Sequence, residues 1–214
     1  VALKVKSLLM GKGIFEQNCQ IVFCDETREA AVVDPGCFTR SEVEELLGLI
    51  EREKWNVPYI INTHGHLDHI SGNGAVKTAT GAQILAHAGD APMLPNRDLN
   101  GANIFGFQVQ SPPADKLLHG GEKIQIGNGV LEVRHTPGHT EGGICLLGPG
   151  FVLSGDTLLM RSIGRTDLPG GSLEQELRSI REGLFVLPDE TIVYPGHGSC
   201  TTIGAEKQHN PFLK

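Results

Sequence analysis

Thr63-His64-Gly65-His66-Leu67-Asp68-His69 follows directly on Val57 to Asn62, an apolar, β-branched run. Such a run, bounded by turn-formers, predicts a strand. Four ligand-type side chains then fall within six residues. Residues two apart in extended chain share a side, so His64 and His66 point the same way. Asp68 and His69 come where the chain turns into a helix, so they project differently and reach a second point. Histidine is the commonest metal ligand, and the chain holds 9 of them in 214 residues, which makes metal binding the first reading to pursue.

Three further ligand types lie where the first four need them. They are His139 in His135-Thr-Pro-Gly-His139-Thr, Asp156 in Ser154-Gly-Asp156-Thr, and His197 in Tyr194-Pro-Gly-His197-Gly. Each directly follows a predicted strand, in a glycine-containing turn, where a scaffold commonly presents functional groups. Seven nitrogen and oxygen donors with no partnered cysteine suit borderline-hard divalent ions such as Zn²⁺, Fe²⁺ or Mn²⁺. The glycine excess, 28 residues, fits the same picture, because Gly65, Gly138, Gly155, Gly196 and Gly198 each adjoin a ligand where the backbone must turn sharply.

Farther out, the pattern is strands then helix, twice. Residues 3–9, 20–24 and 30–34 read as strands, and Asp34-Pro35-Gly36 ends the third. Either Thr39 or Ser41 caps a helix with Glu42, Glu44 and Glu45 in its first turn. Val43, Leu46, Leu47 and Ile50 form its buried face. A short helix near 74–80 and a strand at 83–86 complete the first half. In the second half, Gly127-Asn128-Gly129 and Gly148-Pro149-Gly150 each join two strands as hairpins. Ser172 caps a helix whose apolar face is Leu173, Leu177, Ile180 and Leu184, and Thr191 to Tyr194 is the last strand. Adjacent hairpins argue against a doubly wound sheet. The expectation is an α/β fold of two mixed sheets face to face with helices outside. The segment from Ala91 to Pro113, rich in proline and asparagine, is expected to cover a site or span two layers.

Composition sets limits. A net charge of −7 argues against nucleic-acid binding. No apolar run approaches the roughly twenty residues of a membrane helix, and the N-terminal stretch lacks the features of a secretory signal. Five cysteines without CxxC spacing imply free, mostly buried thiols in a reducing, cytoplasmic compartment.

The succession HxHxDH, PGHT, GDT and PGHG resembles the metallo-β-lactamase superfamily and, within it, the hydroxyacylglutathione hydrolase (glyoxalase II) type. The resemblance runs from Asn18-Cys19 to Asn210-Pro-Phe-Leu213. It implies an αββα sandwich with a dinuclear site at its edge. One metal ion would take His64, His66 and His139, the other Asp68, His69 and His197, with Asp156 bridging. Two divalent ions, zinc or else iron or manganese, are the implied cofactors. The implied reaction is attack of a metal-bound hydroxide on a thioester, such as S-lactoylglutathione, with Asp68 essential through the second metal.

Two departures qualify this. The chain stops soon after His197, so residues 1–214 are expected to form a single domain without the C-terminal helical domain that binds glutathione. A homodimer completing the pocket is one substitute. Gly164-Arg165-Thr166-Asp167 resembles short, single-domain members of the glyoxalase II type, and also the persulfide dioxygenases. The latter use one iron, which would take His64, His139 and Asp156. The hydrolase is the leading reading and the dioxygenase the alternative.

Outside the ligands, Arg165 either forks onto a substrate carboxylate or pairs with Asp167, and Arg161 has the same two readings. Asp34 either orients a ligand histidine or caps its turn. His135 is expected to be a hydrogen-bonded group, in the core or behind a ligand, rather than a ligand itself. His87 reads as structural or as a substrate-loop residue, and His119 and His209 as solvated. Cys145 and Cys200 are expected to pack.

Overall fold

The computed structural model describes residues 3–214. The chain order is β1 (Lys4–Met10), β2 (Gln17–Phe23), β3 (Glu29–Val33), α1 (Arg40–Glu53), β4 (Asn56–Ile61), α2 (Leu67–Ile70), α3 (Asn73–Thr80), β5 (Gln83–His87), α4 (Ala102–Phe105) and β6 (Lys116–Leu118). It continues with β7 (Lys123–Ile126), β8 (Gly129–His135), β9 (Ile144–Gly148), β10 (Phe151–Gly155), β11 (Leu158–Leu159), β12 (Ser162–Ile163), α5 (Leu173–Arg178), β13 (Ile192–Pro195), β14 (Thr201–Thr202) and α6 (Ile203–His209). One sheet has the order β1-β2-β3-β4-β5-β6, the other β14-β13-β10-β9-β8-β7. Both are mixed: β3 to β6 run parallel beside two antiparallel strands, and β10 pairs parallel with β13 in an otherwise antiparallel sheet.

Strand periodicity produces the layers. Side chains alternate across a sheet, so a strand buried on both faces serves two cores. Ala30, Val32, Ile60 and Ile84 pack outward against Leu46, Leu49 and Ile50 of α1 and Val76 of α3. Their neighbours Ala31, Val33, Ile61 and Leu85 point inward and meet Leu131, Val133, Leu146 and Leu153 of the second sheet. Cys145, Val152 and Val193 face outward again, against Ile180, Leu184 and Ile203. The result is the expected αββα sandwich.

Local chemistry sets the ends of elements. Thr39, not Ser41, caps α1 in a reciprocal capping box with Glu42, an arrangement that contributes about 1 kcal/mol. Both glycine turns close as hairpins, pairing Ile126 with Gly129 and Gly148 with Phe151. Ser172 caps α5 as expected, but Leu173 is 51% exposed. A π-helical turn over Ser179–Leu184 follows α5. The wider turn shifts the phase of the buried face, so Glu176, not Leu173, faces inward. Four cysteines are buried, Cys145 among them, but Cys200 is exposed and does not pack, because it lies in the irregular turn beyond β13. Among the described residues no helix is long and apolar enough to cross a membrane.

Candidate metal centre

Four loops reach the same edge of the sandwich. One leaves β4 and carries His64, His66, Asp68 and His69. The others leave β8, β10 and β13 and carry His139, Asp156 and His197. The fold thus brings all seven sequence-predicted ligands together. Ligand atoms of His64, His66 and His139 lie within 4.8 Å of one another, as do those of Asp68, His69 and His197. Asp156 sits between the groups: one oxygen is 3.6 Å from His139 Nε2 and 3.4 Å from His197 Nε2, the other 3.5 Å from His69 Nε2.

Hydrogen bonds at the back of each ring set which nitrogen faces the centre. His69 Nδ1 donates to Asp34 at 3.0 Å, His139 Nδ1 to the Arg165 carbonyl at 2.7 Å, and His197 Nδ1 to the Glu16 carbonyl at 2.6 Å. Thr63 Oγ1 donates to Asp34 at 2.5 Å and accepts from His64 Nδ1 at 3.1 Å. Each bond holds Nδ1–H and turns Nε2 toward the centre. His66 is the exception, presenting Nδ1 2.9 Å from His139 Nε2. His64 Nε2 and one Asp156 oxygen are buried without any hydrogen-bond partner. An unpartnered buried polar atom costs about 1–3 kcal/mol. Converging lone pairs and orphaned atoms of this kind fit a divalent cation.

Protonation divides the same way. Burial, with neighbouring histidines adding to it, pushes His64 well down, and burial pushes His66 down to about 3. Both stand ready as neutral ligands. Burial opposes charge on His69, but Asp156, Asp68 and Asp34 outweigh it and raise the ring to about 10. Burial likewise opposes charge on Asp68, yet His69 and His197 hold its carboxyl well below the usual range. Without metal the second group is therefore an ion-paired cluster, and a metal entering it displaces the His69 proton.

Of the two roles open to it, Asp34 takes the orienting one: its carboxylate accepts from Thr63 and His69 and makes no bond to the Pro35-Gly36 turn. It ends β3 at a left-handed φ of +51° and accepts from the Thr63 N–H at 2.8 Å while orienting His69. Two buried acids escaped the sequence reading. Asp90 accepts from the N–H of Gly65 (3.0 Å) and Gly142 (2.7 Å) and from Thr140 Oγ1 (2.7 Å), tying two ligand loops together. Glu176 accepts from the His139 N–H at 2.8 Å, and burial pushes its carboxyl up to about 9. A lone Asp or Glu gives no sequence signal of this kind, since most are solvated.

Other expectations need correction. Arg161 does not line the cleft: it occupies the tight turn between β11 and β12 at φ +56°, and its N–H donates to Glu206. Arg165 does line the cleft, but its guanidinium forks onto Asp167 at 2.7 and 2.9 Å. His135 is exposed rather than in the core. Its ring stacks on His87, with centroids 4.0 Å apart, and Nε2 donates to the Glu141 carbonyl. That stack gives His87 its structural role, while His119 and His209 are exposed as expected. The segment from Ala91 to Pro113 covers the site: its residues 98–105 form one wall of a cleft of about 270 Å³ above the ligands.

The sequence matches the family model "Metallo-beta-lactamase superfamily" over residues 14–197. The hydroxyacylglutathione hydrolase GloC of Haemophilus influenzae is 37% identical over 212 residues, 93% of each chain. Among solved structures, the BLEG-1 B3 metallo-beta-lactamase superposes with a TM-score of 0.91 at 36% identity, over 98% of this chain and 99% of that one. A di-iron form of TTHA1623 gives 0.84 at 32%, over 97% and 100%. ETHE1 from Myxococcus xanthus gives 0.80 at 30%, over 97% and 83%.

Proposed function

The chain belongs to the metallo-beta-lactamase superfamily, and from that premise we propose that it is a metal-dependent hydrolase of thioesters, glutathione thioesters such as S-lactoylglutathione included. The observation that carries this reading is the second ligand group, in which Asp68 lies 3.2 Å from His197 Nε2 and shares Asp156 with the first group. His64, His66 and His139 would hold one divalent ion, Asp68, His69 and His197 the other, and Asp156 would join them. With two dications bound, its carboxylate would offset their repulsion. Such ions supply Lewis-acid activation of water and of the scissile carbonyl.

The chain's own residues do the rest. Asp34, Thr63 and the carbonyls of Glu16 and Arg165 fix ring orientation. Asp90 holds the HxHxDH loop against the PGHT loop. The cleft wall at 98–105 shields the carbonyl from bulk water. A thiolate leaves readily, so no side chain is required as a strong acid. The GloC relative carries the corresponding activity in its name, and its match over nearly the full length supports the reading.

The test is metal content together with turnover. About two metal ions per chain are expected, with hydrolysis of S-lactoylglutathione. Asp68→Ala should empty the second site and slow turnover by several orders of magnitude, and full activity in that variant would sink the two-metal mechanism.

A second reading is a one-iron persulfide dioxygenase, with the iron held by His64, His139 and Asp156. Gly164-Arg165-Thr166-Asp167 and the likeness to ETHE1 favour it. Oxygen uptake by iron-loaded protein with glutathione persulfide decides between the two.

A further inference from the structure

The wall of the cleft is built for a group that the metal centre does not require. Leu99, Ile104 and Phe105 are 50%, 62% and 42% exposed, and all three line the cleft. Three large apolar side chains left open on one short segment gain nothing for the fold. An exposed apolar patch beside a polar site usually marks a binding surface.

The wall is also braced by aromatic contacts. Phe105 meets Phe15 edge-on with ring centroids 5.1 Å apart, Phe15 lies 5.8 Å from Phe107, and Phe107 lies 5.3 Å from Phe38. Half of the chain's eight phenylalanines thus gather here. The wall is joined to the ligand loop: the Leu67 N–H, next to Asp68, donates to the Asn100 carbonyl at 3.0 Å, and Asn100 Oδ1 accepts from the Ala102 N–H at the start of α4.

Charge is the second observation. Among the described residues Arg165 is the one Lys or Arg lining the cleft, and it is already forked onto Asp167. Asp98 adds a negative group at the rim. A glutathionyl carrier brings two carboxylates and an ammonium, and this wall offers the carboxylates no free cation.

We propose that the cleft selects thioesters by an apolar acyl group lying over Leu99, Ile104 and Phe105. The inference rests on the thioester reading and names the part of the substrate that the wall recognises. The carrier's charged portion then projects into solvent.

The test separates binding from turnover. S-methyl-, S-butyl- and S-hexylglutathione are thioethers that cannot be hydrolysed, and their affinity for the metal-loaded protein is measured by calorimetry. In parallel, kcat/KM is measured for S-acetyl-, S-butyryl- and S-hexanoylglutathione. Full burial of a methylene corresponds to about fourfold in affinity. A wall covers one side of the chain, so roughly twofold per methylene is expected in both series. Ile104→Ser and Phe105→Ala should flatten both slopes. Val186→Ser, at a position 67% exposed and away from the cleft, should leave them unchanged.

A flat or falling thioether series overturns the proposal. So does a slope that survives both wall variants, or an Ile104→Ser variant that converts a dimer to monomers while keeping the slope, which would make the wall a subunit contact. A slope without hydrolysis would instead remove the hydrolase reading, and hydrolysis without a slope would remove this inference alone.

Discussion

Asp34→Asn tests how the fold sets the protonation of the metal centre. Asparagine keeps the size of the side chain and tolerates the left-handed φ of +51°, so backbone strain is nearly constant. One carboxylate oxygen accepts from the Thr63 N–H at 2.8 Å, and the amide oxygen can inherit that bond. The other accepts from Thr63 Oγ1 at 2.5 Å and from His69 Nδ1 at 3.0 Å. In the variant that position becomes an NH₂ donor. His69 must then turn its Nδ1 lone pair outward and carry its proton on Nε2, the nitrogen that faces Asp156 at 3.5 Å and Asp68 at 3.7 Å. That tautomer cannot ligate a metal.

Two bonds to a charged group are lost, each contributing about 1.5–3 kcal/mol, and the reversed contacts recover part of that. A net cost of about 3 kcal/mol corresponds to a Tm lowered by roughly 6–12 °C in a domain of this size. Losing the partner of a ligand histidine typically weakens metal binding about 10- to 100-fold. Competition with a chromophoric chelator measures the affinity, and differential scanning calorimetry the Tm. A variant that gives up its second metal at the same chelator concentration as wild type would refute the reasoning, because the His69 tautomer would then not depend on Asp34.

Two further outcomes follow from the same geometry. A Cβ at Gly196 would lie 2.3 Å from an Asp156 oxygen and 2.7 Å from the His69 ring. Gly196→Ala should therefore reduce bound metal while leaving far-ultraviolet circular dichroism unchanged, and full metal content would count against the placement of Asp156. Glu176 is held protonated by burial, up to about 9. A raised carboxyl binds more protons folded than unfolded, so the metal-free protein loses stability as pH climbs from the ordinary carboxyl range toward 9. Glu176→Gln should remove that loss, raising the Tm of metal-free protein at pH 8 but not below pH 4. An equal effect at both would show that the carboxyl is not buried in the protonated state.

How much of this was legible in the sequence depended on spacing. HxHxDH after a strand placed two imidazoles on one side and two donors on another, and alternation in Ala30 to Val33 and at Ile60-Ile61 specified strands buried on both faces. Glycine-rich turns after β8, β10 and β13 marked the other ligands. What stayed hidden was set by tertiary contact alone. Asp90 and Glu176 look like any surface acid until the PGHT loop lies against them. Leu173 sits at helical spacing with Leu177, but a π-turn that no periodicity shows rotates it outward. The reach of Arg165 was undecidable between a substrate and Asp167, two residues on, because both readings use the same side chain.

The ligands have a consequence for the sandwich as a whole. His64, His66, Asp68 and His69 hang from β4 of the first sheet, whereas His139, Asp156 and His197 hang from β8, β10 and β13 of the second. At this edge Asp90 bridges the loops, the Ile144 N–H donates to the Thr63 carbonyl at 2.8 Å and His197 Nδ1 to the Glu16 carbonyl at 2.6 Å, while His66 and His139 present nitrogens only 2.9 Å apart. Two ring nitrogens at that distance need either a shared proton or a shared cation. A proton satisfies one pair only. A divalent ion satisfies three or four donors at once and binds the folded arrangement in preference to the unfolded chain. Occupancy of the centre therefore adds to the stability of an edge that hydrogen bonds already close: the back-side bonds aim the donors, and a cation would remove the repulsion that aiming them creates.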